Sequence, residues 1–216
     1  MIFQQISVGG RKNFGYYICD EQKKEAAFID PSFSPEKLLG IAEEMGAAVK
    51  YVINTHSHED HTNGNKKVVK ETGAVVAGYG LKGKKTLRLK NGSKIELGGS
   101  ILDIIHTPGH TNDSICIKAE HNLITGDTLF VGRVGSTKTI KDARKQYESL
   151  QKLMETIPND TDVFPGHDFG VRPLSTVRYE KDNNPFLNTK NFEEFVFLKR
   201  YWAKKKKIQR DNGKQE

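Results

Sequence analysis

Cysteine is scarce in this chain: two residues in 216, Cys19 and Cys116, each inside an apolar, strand-like run. Two such thiols build neither a disulfide framework nor a cysteine-rich metal cage, and both are read as reduced, buried core residues. Long apolar runs are missing too. No uninterrupted stretch reaches the roughly 20 residues that span a bilayer, and the opening MIFQQISVGG has no basic segment followed by an apolar one. Membrane insertion and export are not expected; a cytoplasmic location is. Low complexity is confined to one lysine run, Lys204 to Lys207, and no internal repeat stands out.

A surplus of positive charge is present, net +7, but it is concentrated. From Lys199 to Glu216 eight basic side chains face only Asp211 and Glu216, which leaves a body close to neutral. Apolar content that could pack ends at about Trp202. A solvated tail is therefore expected rather than a phosphate-binding arm, and nucleic acid is not the expected partner. The length suits one domain, with or without a small appendage, and leaves the oligomeric state open.

Two blocks of similar grammar follow one another. Short strands IFQQISV, FGYYICD and EAAFID precede a helix opened by Pro31 and Ser34 and running to about Met45. VKYVINT is the next strand, then a helical stretch to about Thr72, the strand AVVAG, and short strands around TLRLK, KIEL, ILDIIHT, SICIK and NLIT. A second amphipathic helix is expected over Ile140 to Thr156, then the strand DVFPG and a helical part after Pro173. Many short strands with a few helices imply mixed sheets covered by helices on the outside.

Against this background NTHSHEDHTNG, residues 54 to 64, stands out: it holds three of the seven histidines. His56 and His58, two apart in an extended segment, share a face and can share a cation. Asp60 and His61 follow at the start of a helix and can serve a second cation a few Å away, as in two-metal hydrolytic sites. Further ligands come at other strand ends: His110 after ILDIIHTPG, Asp127 in ITGDTLF, and His167 in VFPGHDFG, each beside a glycine that lets the backbone approach closely. His106 and His121 lack that setting and are assigned to structure or surface.

THSHEDHTNG, TPGHT, GDT and PGH, in this order and with these gaps, resemble the metallo-β-lactamase superfamily over about residues 1 to 185. The resemblance implies an α/β (α+β) fold, an αββα sandwich of two mixed sheets flanked by helices. Residues 1–185 would form the catalytic domain and 186–216 a short C-terminal helical extension with the basic tail. It implies two Zn2+, with Fe2+ or a mixed Zn/Fe pair as the alternative. His56, His58 and His110 would bind one metal, Asp60, His61 and His167 the other, and Asp127 would bridge them. Asp60 and Asp127 are the expected catalytic carboxylates. Asp60 is not the Cys of some β-lactamases, and His58 is not the Glu of flavo-diiron proteins.

Within the superfamily GDTLF, DARKQYESLQKLMETIP, TDVFPGHDFG and NNPFL look most like glyoxalase II. That likeness implies hydrolysis of a small thioester, such as an acyl-glutathione, by a metal-bound hydroxide. Zinc brings the pKa of bound water to about 7, so no protein nucleophile is required. Two departures are visible. VGRVGSTKT supplies Arg133 and Lys138 but no aromatic, and only about fifty residues follow His167. Arg133, Lys138 and Arg172 are the candidate contacts to the anionic end of the substrate. PGHDFGVRPLSTVRYEKDNNPFL also resembles persulfide dioxygenases, which implies the alternative of one Fe(II) on His56, His110 and Asp127. A nucleic-acid-processing hydrolase is a third reading, supported only by the basic tail.

Overall fold

Alternation along the strands sorts side chains into layers. Within residues 13–19, Phe14, Tyr16 and Ile18 point to one side and Tyr17 and Cys19 to the other, and both sides are buried. Residues 115–119 repeat this, with Ile115, Ile117 and Ala119 on one side and Cys116 on the other. A strand buried on both faces needs cover on both, which requires a second sheet on one side and helices on the other.

The computed structural model of the protein describes residues 1–83 and 85–212, residues 205–212 by their backbone alone. The first half comprises β1 (Ile2–Gly9), β2 (Asn13–Cys19), β3 (Glu25–Ile29), α1 (Pro35–Glu44), β4 (Ala48–Ile53), α2 (Glu59–Thr62), α3 (Asn65–Thr72), β5 (Val75–Tyr79) and β6 (Thr86–Leu89). The second comprises β7 (Lys94–Leu97), β8 (Ser100–His106), β9 (Ile115–Ala119), β10 (Asn122–Gly126), β11 (Leu129–Phe130), β12 (Arg133–Val134), α4 (Ile140–Thr156), β13 (Asp162–Pro165), β14 (Ser175–Thr176), α5 (Val177–Asn183) and α6 (Phe192–Asn212). The strands form two six-stranded mixed sheets, ordered β1-β2-β3-β4-β5-β6 and β14-β13-β10-β9-β8-β7, and the ribbon β11-β12. One apolar core lies between the sheets, around Tyr16, Ile18, Leu102 and Ile117. A second lies under α1 and α3, and a third under α4, α5 and α6. The result is the expected αββα sandwich.

The pairing brings one set of strand ends to one edge. β3 and β4 run parallel, as do β10 and β13, and β8 runs in the same direction as β10 because each is antiparallel to β9. The C-terminal ends of β3, β4, β8, β10 and β13 therefore open onto one mouth. Open mixed and parallel sheets put ligand-binding loops at such ends.

Several boundaries differ from the sequence reading for physical reasons. α1 starts only at Pro35, because residues 30–34 serve the mouth: Asp30 and Ser32 adopt positive φ, and the Ser32 hydroxyl donates to the Asp60 carbonyl. The ribbon β11-β12 was not anticipated. It is pinned by the buried Glu180 carboxylate, which accepts from Gly132 N at 2.9 Å, Ser175 Oγ at 2.6 Å and Asn184 Nδ2 at 2.8 Å. Asn184 Nδ2 also donates to the Arg133 carbonyl, at 3.2 Å, so the NNPFL segment ties α5 to this ribbon.

The expected C-terminal extension packs Phe186, Phe192 and Phe195 into the third core, and Trp202 lies against it. The helix continues as backbone to Asn212, beyond the point where a tail was expected. The side chains of 205–216 lie outside the described residues, and with them most of the basic tail. Lys199, counted with that tail above, is not part of it: its amine turns inward to the Gly135 carbonyl. No described helix is long and apolar enough to cross a membrane.

Both thiols are free and fully buried, and burial pushes the Cys116 thiol up to about 12. The thiolate is the reactive form. A disulfide-exchange reagent at pH 8 is expected to label neither cysteine in the folded protein within minutes and both in guanidinium. Prompt labelling of one equivalent in the folded state contradicts this packing.

Candidate metal centre

Each strand end contributes a different piece. Beyond β4 the chain bends at Thr55 and His56 and enters α2 through an extended His58, so that His56 and His58 precede the helix and Asp60 and His61 lie within it. The loop after β8 brings His110, the end of β10 brings Asp127, and the end of β13 brings His167. All seven predicted ligand residues meet at the mouth. His56, His58 and His110 form one group, Asp60, His61 and His167 a second, and His56, His61 and Asp127 a third between them, with the donor atoms of each group within 4.8 Å of one another.

The protonation state of this cluster follows from what its outer nitrogens touch. His61 Nδ1 donates to Asp30 Oδ2 at 2.8 Å, His110 Nδ1 to the Ser136 carbonyl at 2.8 Å, and His167 Nδ1 to the Arg11 carbonyl at 3.0 Å. His56 Nδ1 lies 3.1 Å from Thr55 Oγ1, whose own proton goes to Asp30 Oδ2 at 2.6 Å. A carbonyl or carboxylate accepts only, so the proton sits on the outer nitrogen and the inner nitrogen offers a lone pair. Those inner nitrogens face each other: His56 Nε2 is 2.9 Å and His110 Nε2 3.0 Å from His58 Nδ1, and His61 Nε2 is 3.2 Å from His167 Nε2.

Lone pairs packed this closely repel unless a cation or a proton lies between them. Asp127 adds a carboxylate whose Oδ1 is buried without a well-formed hydrogen bond, 3.4 Å from both His61 Nε2 and His167 Nε2, while Oδ2 is 3.4 Å from His110 Nε2. Imidazoles with fixed tautomers around an unsatisfied carboxylate are the donor set of a divalent metal, and the residues present fit one.

The local electrostatics divide the cluster: the neutral imidazole is favoured at His56 and His110, and the protonated one at His61, where a proton takes the place a cation would hold. Burial pushes the His56 pKa well below its ordinary value, with His61 adding to the effect, and burial also lowers His110. Burial opposes the charge on His61 as well, but there Asp30 and Asp127 outweigh it and hold the pKa well above the ordinary value. Burial would raise Asp127, yet the His167 and His61 imidazoles keep its carboxyl well below the usual carboxylate range. Asp60 is steadied by Asn13, whose Nδ2 lies 3.0 Å from its carbonyl and 3.2 Å from its Oδ2.

The other predicted residues are spread more widely. Arg133 places its guanidinium 4.9 Å from the Trp202 ring centroid, and Arg172 sits 3.6 Å over Tyr179. Lys138 is exposed. His106 stays outside the cluster, stacked on Tyr79 at 3.7 Å and donating from Nε2 to the Asn112 carbonyl at 2.8 Å. His121 is exposed. Sequence reasoning missed Asp30, Thr55 and Asn13. Asp30 had a readable signal, an acid directly after the apolar strand EAAFI, as Asp127 has after β10.

A sequence profile described as the Metallo-beta-lactamase superfamily matches residues 9–89 and 86–167. The chain belongs to this superfamily. It is 35% identical over 193 residues to a hydroxyacylglutathione hydrolase of Polaromonas sp., covering 85% of this chain and 73% of that protein. It is 30% identical over 192 residues to a probable polyketide biosynthesis zinc-dependent hydrolase, BaeB, of Bacillus velezensis, covering 85% of each. Among solved structures, ETHE1 from Myxococcus xanthus superposes with a TM-score of 0.86 at 30% identity, covering 93% of this chain and 90% of that one. The chain is thus an enzyme of the glyoxalase II-like part of the superfamily, with a site for a divalent metal.

Two outcomes check the assignments. His106→Asn and His121→Asn are expected to leave the bound-metal count unchanged, and loss of one equivalent in either shows a misplaced ligand. Asp30→Ala removes the acceptor that orients His61 and is expected to weaken metal binding about 10- to 100-fold in chelator competition; undiminished affinity contradicts its orienting role.

Proposed function

We propose that this protein is a dinuclear zinc hydrolase of small thioesters, such as an acyl-glutathione. The observation that supports it most is the Asp127 carboxylate, which turns one oxygen toward His110 and the other toward His61 and His167. One carboxylate facing two imidazole groups is the arrangement of a bridging ligand. In this reading His56, His58 and His110 would hold one zinc, Asp60, His61 and His167 the other, and Asp127 would serve both. A zinc pair, when bound, supplies Lewis acidity toward the substrate carbonyl and a water ionisable near neutral pH.

The chain's own residues do the rest. Asp30 and the Ser136 and Arg11 carbonyls keep the imidazoles in one tautomer, so no reorganisation is needed when charge develops. Asp60, steadied by Asn13, would orient the attacking water by accepting a hydrogen bond from it. A thiolate leaves readily, so no acid is required on the departing sulfur. Arg133, Lys138 and Arg172 contact carboxylates at the remote end of the substrate. The two arginines are braced on aromatic rings, which lowers the entropy lost when they bind an anion.

The similarity to ETHE1 supports a second reading, the mononuclear iron persulfide dioxygenase drawn from the sequence, with iron on His56, His110 and Asp127. Metal analysis of protein purified without added metal, paired with a thioesterase assay, separates the two. Near two zinc per chain with thioester turnover supports hydrolysis. One iron with oxygen consumption on a persulfide overturns it.

Asp127→Ala is expected to lose metal from both positions and to reduce turnover at least about 100-fold; retention of two metals contradicts the bridging role. Arg133→Ala and Arg172→Ala are expected to raise KM for an anionic thioester severalfold with metal content intact, and to leave a neutral thioester unaffected. Equal changes for both substrates remove these residues from recognition.

A further inference from the structure

Among the described side chains of α6, the half-buried Lys199 turns its amine toward the interior. The Lys199 amine donates to the Gly135 carbonyl at 2.7 Å and to Gln146 Oε1, and burial pulls its pKa down to about 7. Gln146, on α4, is fully buried, and its Nε2 donates to the same Gly135 carbonyl at 3.1 Å. Burying a lysine amine is costly. Anchoring the helix does not demand it, since Phe192 and Phe195 already seat α6 in the core.

The position of this clamp points to a role. Gly135 lies against the metal centre: a Cβ there would be 1.9 Å from the Asp127 carbonyl oxygen and 3.1 Å from His110 Nδ1. The next residue, Ser136, supplies the carbonyl that accepts the His110 Nδ1 proton. On the other side, a Cβ on Gly109, the residue before His110, would be 2.5 Å from the backbone nitrogen of Gln146. Gln146 thus touches the backbone before His110 and the backbone that orients its ring, and Lys199 locks Gln146 to the second of these.

We propose that Lys199 is a positioning residue for the metal centre: through Gly135 and Gln146 it fixes the Ser136 carbonyl, and with it the tautomer and direction of the His110 imidazole. The C-terminal helix is thereby coupled to one metal position. This rests on the reading of His110 as a ligand with His56 and His58. The position held by Asp60, His61 and His167 is braced by Asp30 and Arg11 instead and is independent of Lys199.

The test uses the full chain and zinc, with chelator competition to resolve the two affinities and nitrogen-15 histidine spectra of the metal-free protein to follow the His110 Nδ1 proton. Lys199→Met keeps the stem and removes the donors. It is expected to weaken one zinc position about tenfold or more, leave the other within twofold, and broaden the His110 Nδ1 signal. Gln146→Leu is expected to act in the same direction, which covers failure of the first variant to fold. Phe192→Leu destabilises the same helix at a ring that packs on Tyr147 and Arg144 rather than on Lys199, and is expected to lower Tm while both zinc affinities hold. Unchanged affinities and an unchanged His110 signal in Lys199→Met, or equal losses in Lys199→Met and Phe192→Leu, overturn the proposal. His110→Ala separates it from the reading beneath it: if that variant still binds two zinc as the wild type does, the ligand assignment fails first.

Discussion

Four imidazoles turned inward by acceptors behind them are the constraint on which the rest depends. Asp30, Thr55, and the Ser136 and Arg11 carbonyls hold the outer nitrogens of His61, His56, His110 and His167. With the protons committed there, the inner lone pairs converge with the Asp127 carboxylate between them. Repulsion within such a cluster is tolerated only in a rigid frame, and the frame is the sandwich. Five strands end at one mouth because β3 runs parallel to β4, β10 parallel to β13, and β8 in the direction of β10.

The layers were legible because two-residue alternation is a local property. Tyr16 and Ile18 against Tyr17 and Cys19 already require a sheet covered on both faces. The seven mouth residues were legible because each follows an apolar strand, and because His and Asp in that pattern have few other uses. What supports them was harder to read. Asp30 sits in no histidine pattern. Arg11 and Ser136 act through backbone carbonyls, which any residue carries. Lys199 reads as one more basic residue next to a lysine-rich stretch, and only the fold reveals that its amine reaches Gly135, 64 positions earlier in the chain.

The second layer of helices links the chain's end to its chemistry. Glu180 and Asn184 hold the β11-β12 ribbon by its backbone, and Lys199 and Gln146 hold the residue that follows it. These contacts are polar and partly buried, that of Gln146 Nε2 fully, and where a buried partner is lost the unsatisfied group costs about 1–3 kcal/mol. A short C-terminal segment thus reaches the backbone beside the metal centre, and Arg133, proposed above as a substrate contact, leans on Trp202 of the same segment. In the proposed function, recognition and positioning would be separable, one read in KM and the other in metal affinity.

The central claim is that Asp127 stands between two metal positions built from separate histidine groups. Anomalous diffraction from crystals of the zinc-loaded protein tests it most directly. Two peaks are predicted, about 3.5–4 Å apart, one in contact with His56, His58 and His110, the other with Asp60, His61 and His167, and both with Asp127. A single peak, or two peaks that do not share Asp127, contradicts the account.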